Sequence, residues 1–416
     1  MLKGSFRFSK EKLTNIFVFL GLLFAMVRMI RKIDNLYVLA LLSFCGIFFL
    51  NYKKLYEPDF KKILIWLLPF GVWASLTAIW SLEPVISFSR GLFYIFISST
   101  SVLIGYIYKN KTRDLFKQFL ILNGLIIFIS FLSLISGIPS DAWTANHGMG
   151  FTSIFTHQNT LAAVLMFTLI GPVYFLLNAC PTSLERGIPK FMLSGVEACF
   201  KRESILLGLL ILANLFFIYL SYSRAVMLAL FVGGVLLVYL TGTIKTNLIF
   251  TLFLIISGAS VFHFFGNNIN SYLKKGGSDY FARRNILWEP SYKAALNGGI
   301  IGLGYGVTDP TINSTYKKEN RFGELKREKG NSILAIVEET GIIGLILFLL
   351  PSGFILKNST KKIFQARKFR ILNFEFLIGF SFLIAFLIHA QFEAWMVGVS
   401  SFYLFDFFMF TSLLFE

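Results

Sequence analysis

Charge is scarce in this chain. Asp, Glu, Lys and Arg make up 15% of the 416 residues, against 56% hydrophobic, and the mean hydropathy is +0.69. A soluble domain carries roughly a quarter charged residues and about 45–50% apolar ones, so an ordinary soluble class is excluded. Cysteine is scarcer still: Cys45, Cys180 and Cys199 are scattered, with neither metal-ligand nor disulfide spacing. A cleavable leader is not expected, because the first apolar run, 14–30, lacks a small-residue cleavage site and is followed by further runs. No internal repeat is detectable, which weighs against transporters built from duplicated halves.

Long apolar runs are what the sequence has in plenty. Runs of about 17–25 residues match the thickness of a bilayer core. They predict about twelve spans, at 14–30, 36–52, 62–82, 86–108, 116–136, 159–179, 204–222, 225–242, 246–265, 332–356, 372–392 and 396–415. The expected fold is therefore an all-α integral membrane protein. It divides into nine spans over 1–265, a large extracytoplasmic loop with short helices over 266–331, and three spans over 332–416. The 49 phenylalanines are expected as lipid-facing bulk.

Lys and Arg set the orientation. With the N-terminus in the cytoplasm, the inner segments 1–13, 53–61, 109–115, 180–203, 243–245 and 357–371, with their immediate flanks, hold 23 of the 39 basic residues. The short outer connections 83–85 and 137–158 hold none; Arg31 and Lys32 are the exception. The loop 266–331 carries eleven basic residues and falls outside, as long translocated loops are exempt from the rule. Both termini are thus expected inside. The net charge of +17 is partly a topology signal and calls for the bilayer, not nucleic acid, as partner.

Ionisable residues inside spans are costly and mark functional candidates. Arg90 stands in "SFSRGLFY", His157 and Asn159 in "FTHQNTLA", Arg224 in "SYSRAVML", and Arg283 and Arg284 in "ARRNILW". Asn331, Glu338 and Glu339 stand in "KREKGNSILAIVEETG", where a basic loop turns into a span. His389 and Glu393, four apart in "HAQFEAW", are read as sharing one helix face. The topology puts all of them near one membrane face. Arginine forks grip phosphate oxygens in bidentate fashion, so the set points to a site for an anionic headgroup, with carboxylates to orient the arginines or accept a proton. Each residue also has a purely structural reading. Arg90 and Arg224 could snorkel to the interface, His157 could cap a helix, Glu338 and Glu339 could pair with loop lysines, and His389 could bond Glu393. "GLGYG" at 302–306 reads as a tight turn, since the strand and full glycine pattern of a dinucleotide loop are missing.

Four stretches, "GFTSIFTHQNTLAAVL", "SYSRAVMLAL", "ARRNILWEPSYKAALNGGIIGLGYG" and "GNSILAIVEETGIIGLILF", together resemble the bacterial O-antigen ligase and polymerase superfamily, in matching order and spacing over about half the chain. The family's twelve-span plan, with its large periplasmic loop between spans nine and ten, agrees with the topology. The resemblance implies a metal-independent glycosyltransferase of the bacterial inner membrane, active on the periplasmic face without a cofactor. A sugar hydroxyl would attack the anomeric carbon of a polyprenyl-diphosphate-linked glycan. It implies that Arg224 and Arg284 contact the donor diphosphate, with Arg283 as a neighbour able to substitute, and that Asn331 and Glu339 occupy the helix-start positions. The family's ligases carry a histidine where this chain has Gly330. That departure, and the closing "HAQFEAWMVG", lean the resemblance towards polymerase-like members. These build O-antigen or another surface polysaccharide, and this leaves room for a chain-length regulator as partner. The alternatives are a ligase that transfers glycan to the lipid A core of lipopolysaccharide and, from another class, a glycan or lipid transporter.

Overall fold

Apolar runs that meet few helix breakers wind into helices, since a chain in lipid must satisfy its backbone within each segment. A computed structural model bears this out; it describes residues 9–27, 37–139, 142–144, 150–179, 202–242, 247–248, 251–252, 282–312, 317–319, 325–369, 374–398 and 402–414. The helices are α1 (Lys10–Val27), α2 (Tyr37–Asn51), α3 (Pro58–Leu76), α4 (Pro84–Tyr108), α5 (Thr112–Ser136), α6 (Gln158–Thr168) and α7 (Ile170–Ala179). There follow α8 (Arg202–Leu220), α9 (Arg224–Thr241), α10 (Ala282–Gly298), α11 (Ser332–Phe369), α12 (Phe374–His389) and α13 (Phe402–Leu414). Prolines at the first turns of α3 and α4 start those helices where a missing N–H costs nothing. Two antiparallel two-stranded ribbons, Trp143–Thr144 with Gly150–Phe151 and Lys317–Glu319 with Leu325–Arg327, are the only strands among the described residues.

Among the described residues, eight helical segments are long and apolar enough to cross a membrane, and α12 and α13 are shorter apolar helices. The predicted ninth span, 246–265, falls mostly outside the described residues, as do 266–281 of the loop. The sixth span is one segment with a break at Leu169, because Pro172 cannot donate to Thr168 and crowds its carbonyl. Two expectations need correcting. The helix of the tenth span, expected over 332–356, runs on as α11 to Phe369, since "KNSTKKIFQARKF" holds no Gly or Pro and many strong helix formers. The last span is also shorter than 396–415, because Trp395–Val397 form a separate 3-10 turn.

Among the described residues many phenylalanines are buried inside the bundle rather than set on its outer surface. Phe60, Phe70, Phe116, Phe119, Phe151, Phe167, Phe217, Phe386 and Phe402 are among the largest fully buried side chains. Phe116, Phe119, Phe167 and Phe386 pack against rings of α13, which itself packs on α4 and α12. Phe167 stacks on Phe386 at 3.9 Å and on Tyr403 at 5.0 Å. Phe44 stacks on Phe405 at 4.5 Å. In lipid the hydrophobic effect drives helices together weakly, and packing takes over; flat, rigid rings supply that packing with little entropy to lose.

Hydrogen bonds separate the two ends of the bundle. One end joins Glu11 to Lys111, Tyr108 to Asn15, Thr112 and Tyr174 to Glu375, and Tyr106 to Glu57. The other end joins the loops after α3, α5, α8, α10 and α12. The chain leaves α9 at the first end and starts α10 at the second.

Candidate functional site

The site begins at a break in α11. Gly341 has φ 70° and ψ −174°, so the helix stops and restarts there. A side chain is excluded: a Cβ would lie 2.1 Å from Ile300 O. The turn after α10 replaces the lost helical bonds. Leu303 N donates to Glu338 O at 2.9 Å and Gly304 N to Glu339 O at 3.0 Å, while Ile342 N and Ile343 N donate to Gly299 O and Ile300 O at 3.1 and 3.2 Å. Trp73 Nε1 reaches Thr340 O at 2.8 Å, and Trp80 Nε1 reaches Gly302 O at 3.0 Å. "GLGYG" is thus the tight turn expected, docked on the break. Glu338 and Glu339 sit one turn before it.

Both acids are buried, 0% and 3% exposed, and both are fully engaged. Glu338 accepts from Asp309 N at 3.0 Å and pairs with Arg327 and, at 3.3 Å, with Lys329. Glu339 accepts from Gly306 N at 2.7 Å and from Lys329 Nζ at 2.6 Å. Lys329 also donates to Val307 O at 3.0 Å, so its three donors are spent. Arg327 NH1 reaches Ser291 Oγ at 2.8 Å. Burial works against the Asp309 carboxylate, but hydrogen bonds from Thr311 and Asn297, with Arg327 nearby, hold its pKa below the usual aspartate value. Arg90 NH1 donates to Gly306 O at 3.1 Å. A single residue therefore takes part in both interactions: Gly306 N donates to Glu339, and Gly306 O accepts from Arg90.

A second group forms where α6, α10, α11 and the turn after α12 meet. Arg284, 19% exposed at its side chain, donates to Phe392 O and bonds Glu393 Oε1 at 3.3 Å. Asn159 Nδ2 donates to the same oxygen at 2.8 Å. His157 caps α6, with its Nδ1 accepting from Asn159 N at 3.1 Å. Asn331 caps α11 by accepting from Leu334 N at 3.0 Å and donates to Gln391 O at 2.9 Å. Ser332 Oγ donates to Glu393 O at 2.6 Å.

Most of the predicted residues thus come together, in two groups linked by the first turns of α11. Arg224 opens α9 straight after the tight turn at Tyr222, φ 54°. Gly150 is wedged between that turn and α6, since a Cβ there would lie 1.7 Å from Gln158 Oε1 and 2.7 Å from Ser221 O. Arg283 lies in α10, but its side chain falls outside the described residues. His389 is placed differently from expectation. It is 1% exposed and accepts from Trp395 Nε1 at 3.1 Å. Because α12 ends at His389, it and Glu393 do not share a helix face. Lys329, Arg327, Asp309 and Ser332 were not singled out from sequence. The first two are visible only as members of a basic loop, and nothing local marks the others. Among the described residues no group of three His, Cys, Asp or Glu side chains gathers as metal ligands.

Comparison with known proteins gives one match. The family model described as O-antigen ligase covers residues 208–349, which include Arg224, Arg284, Asn331, Glu338 and Glu339. No curated protein and no solved structure matches the chain.

Proposed function

The chain belongs to the O-antigen ligase/polymerase superfamily, and on that premise we propose that it polymerises surface-glycan repeat units carried on a polyprenyl diphosphate. One observation carries the reading. Arg284, on the family-matched segment, is held by Glu393 and Phe392 O at one end of a membrane bundle with part of its surface open. Its fork is oriented, and only some of its five donors are used.

The incoming sugar hydroxyl attacks the anomeric carbon. Its oxygen forms the new C–O bond while the bond to the diphosphate breaks, and the electron pair leaves with the diphosphate. Arg284 and Arg224, with Arg90, stabilise the charge that builds there. Glu339 is engaged through both oxygens, so its role in this reading is to hold Lys329 and Gly306, the residue whose carbonyl receives Arg90. The proton from the hydroxyl passes to solvent or to the released diphosphate. No cofactor or metal is needed, and activity is expected to survive a chelator.

The site faces the periplasm of the inner membrane in this proposal, with both termini in the cytoplasm. In a background without native cysteines, Tyr292→Cys should label with an impermeant thiol reagent in intact spheroplasts and Lys109→Cys should not; the reverse pattern would put the site on the wrong face. The matched family's own description favours a second reading, transfer of finished glycan to a lipid acceptor. A deletion strain separates the two. Surface glycan shortened to single repeats means polymerase, and long carrier-linked chains missing from the lipid acceptor mean ligase.

A further inference from the structure

Beside Arg284 lies a groove of about 710 Å³ lined by Trp288, Tyr292, Asn285, Asn331 and Gln391, with Ile333 and Leu334 at one end. This volume is typical of sites for small ligands, roughly 300–1,000 Å³. Its chemistry is mixed. Two aromatic faces stand among three carboxamides, and the one acid on the lining, Glu289, is paired with Lys293 at 2.7 Å. A pyranose ring has the complementary surface: a flat apolar face of C–H groups and a rim of hydroxyls that both donate and accept. Amides offer both functions to such a rim, and Trp and Tyr offer a broad apolar face with a polar tip.

The groove is built on the same scaffold as the arginine group. Asn331 is fixed as the cap of α11 and through Gln391 O, and Trp288 is fixed by donating to Gly330 O at 3.1 Å. Trp288 and Arg284 lie four apart on α10, on one face of the helix. The Phe392 ring stands between them, 5.9 Å from the Trp288 ring and 5.9 Å from the Arg284 guanidinium. A sugar lying on Trp288 would hold its neighbour in a chain near the Arg284 fork. Tyr292, 57% exposed, extends the aromatic surface one turn further from Arg284.

We infer that this groove binds the uncharged, hydroxyl-rich end of the acceptor glycan, with Trp288 and Tyr292 as stacking surfaces and Asn285 and Gln391 as hydroxyl partners. The inference deepens the proposed reaction and rests on it. It is tested on the full chain in lipid nanodiscs with the oligosaccharide repeat released from the host's own surface glycan by mild acid. Saturation-transfer NMR should detect binding to wild type, and Tyr292→Ala and Gln391→Ala should each weaken it about tenfold. In a transfer assay the same variants should raise the KM for acceptor with kcat and the KM for the diphosphate donor unchanged. Binding unaltered by both variants, or no binding to a wild-type protein that still transfers glycan, would overturn the groove. Binding that depends on Tyr292 in a protein that transfers nothing would keep the groove as a glycan site and remove the proposed reaction.

Discussion

Two carboxylate groups, one on α11 and one in the turn after α12, are built to opposite rules. Around Glu338 and Glu339 every oxygen has a cation or a backbone N–H, and both acids are almost wholly out of solvent. Around Glu393 the side chains are a fifth to a quarter exposed, and the arginine keeps donors in reserve. A closed network fixes a shape; an open one meets a ligand. Intramembrane charge alone does not distinguish the two cases, and the count of satisfied partners does.

The largest expected effect breaks the closed network. Glu338→Ala leaves Arg327 buried without its carboxylate, while Lys329 keeps Glu339, and losing one member of a buried pair costs about 3–5 kcal/mol. Thermal unfolding in detergent should show a large drop, and adding Arg327→Met should recover part of it. If Glu338→Ala unfolds like wild type, the network is not a clamp. The open group should respond in activity instead. Arg284→Lys keeps the charge but loses the planar fork; transfer should fall by about 10²–10³-fold, the range for removing one oriented transition-state donor, with unfolding temperature unchanged. Activity near wild type would reduce Arg284 to an anchor.

Glu339→Gln lies between the two cases. If Glu339 holds Gly306 in place for Arg90, affinity for the donor should weaken, with loss of one charge-assisted hydrogen bond worth about 1.5–3 kcal/mol. A fall in kcat alone, with donor binding intact, would make it the base. The smallest effect is in acid. Asp309 has a lowered pKa in the fold, so its contribution is present above the unfolded value of about 3.9 and is lost as pH falls from there through the folded value. Asp309→Asn should flatten the acid limb of a stability-against-pH curve below about pH 4; an unchanged limb would assign that limb to other carboxylates.

Much of this was legible in the sequence. A span is a local property, about twenty apolar residues, so the helices from α2 to α9 lie close to their expected places. The gathering of Arg90, Asn159, Arg284, Asn331 and Glu393 at one end followed from topology alone. What topology could not give was pairing. Asn159 and Glu393 are separated by 234 positions, and only tertiary packing makes them neighbours. The break at Gly341 was hidden for a similar reason: "ETGIIG" lies inside the apolar run expected at 332–356, and its irregular backbone is tolerated because residues 299–304 supply the missing bonds. The buried share of the phenylalanines was not legible, because composition does not say which face of a helix a ring occupies.

The unbroken course of α11 from Gly341 to Phe369 makes this helix a depth gauge. At 1.5 Å per residue it is roughly 42 Å long, against a hydrocarbon core of about 30 Å. Its far end carries Lys357, Lys361 and Lys362, whose charges resist being drawn into hydrocarbon and would be drawn to anionic headgroups. In a bilayer, lipids on one side would thus set how far the Gly341 break, and the turn docked on it, stand from the surface on the other.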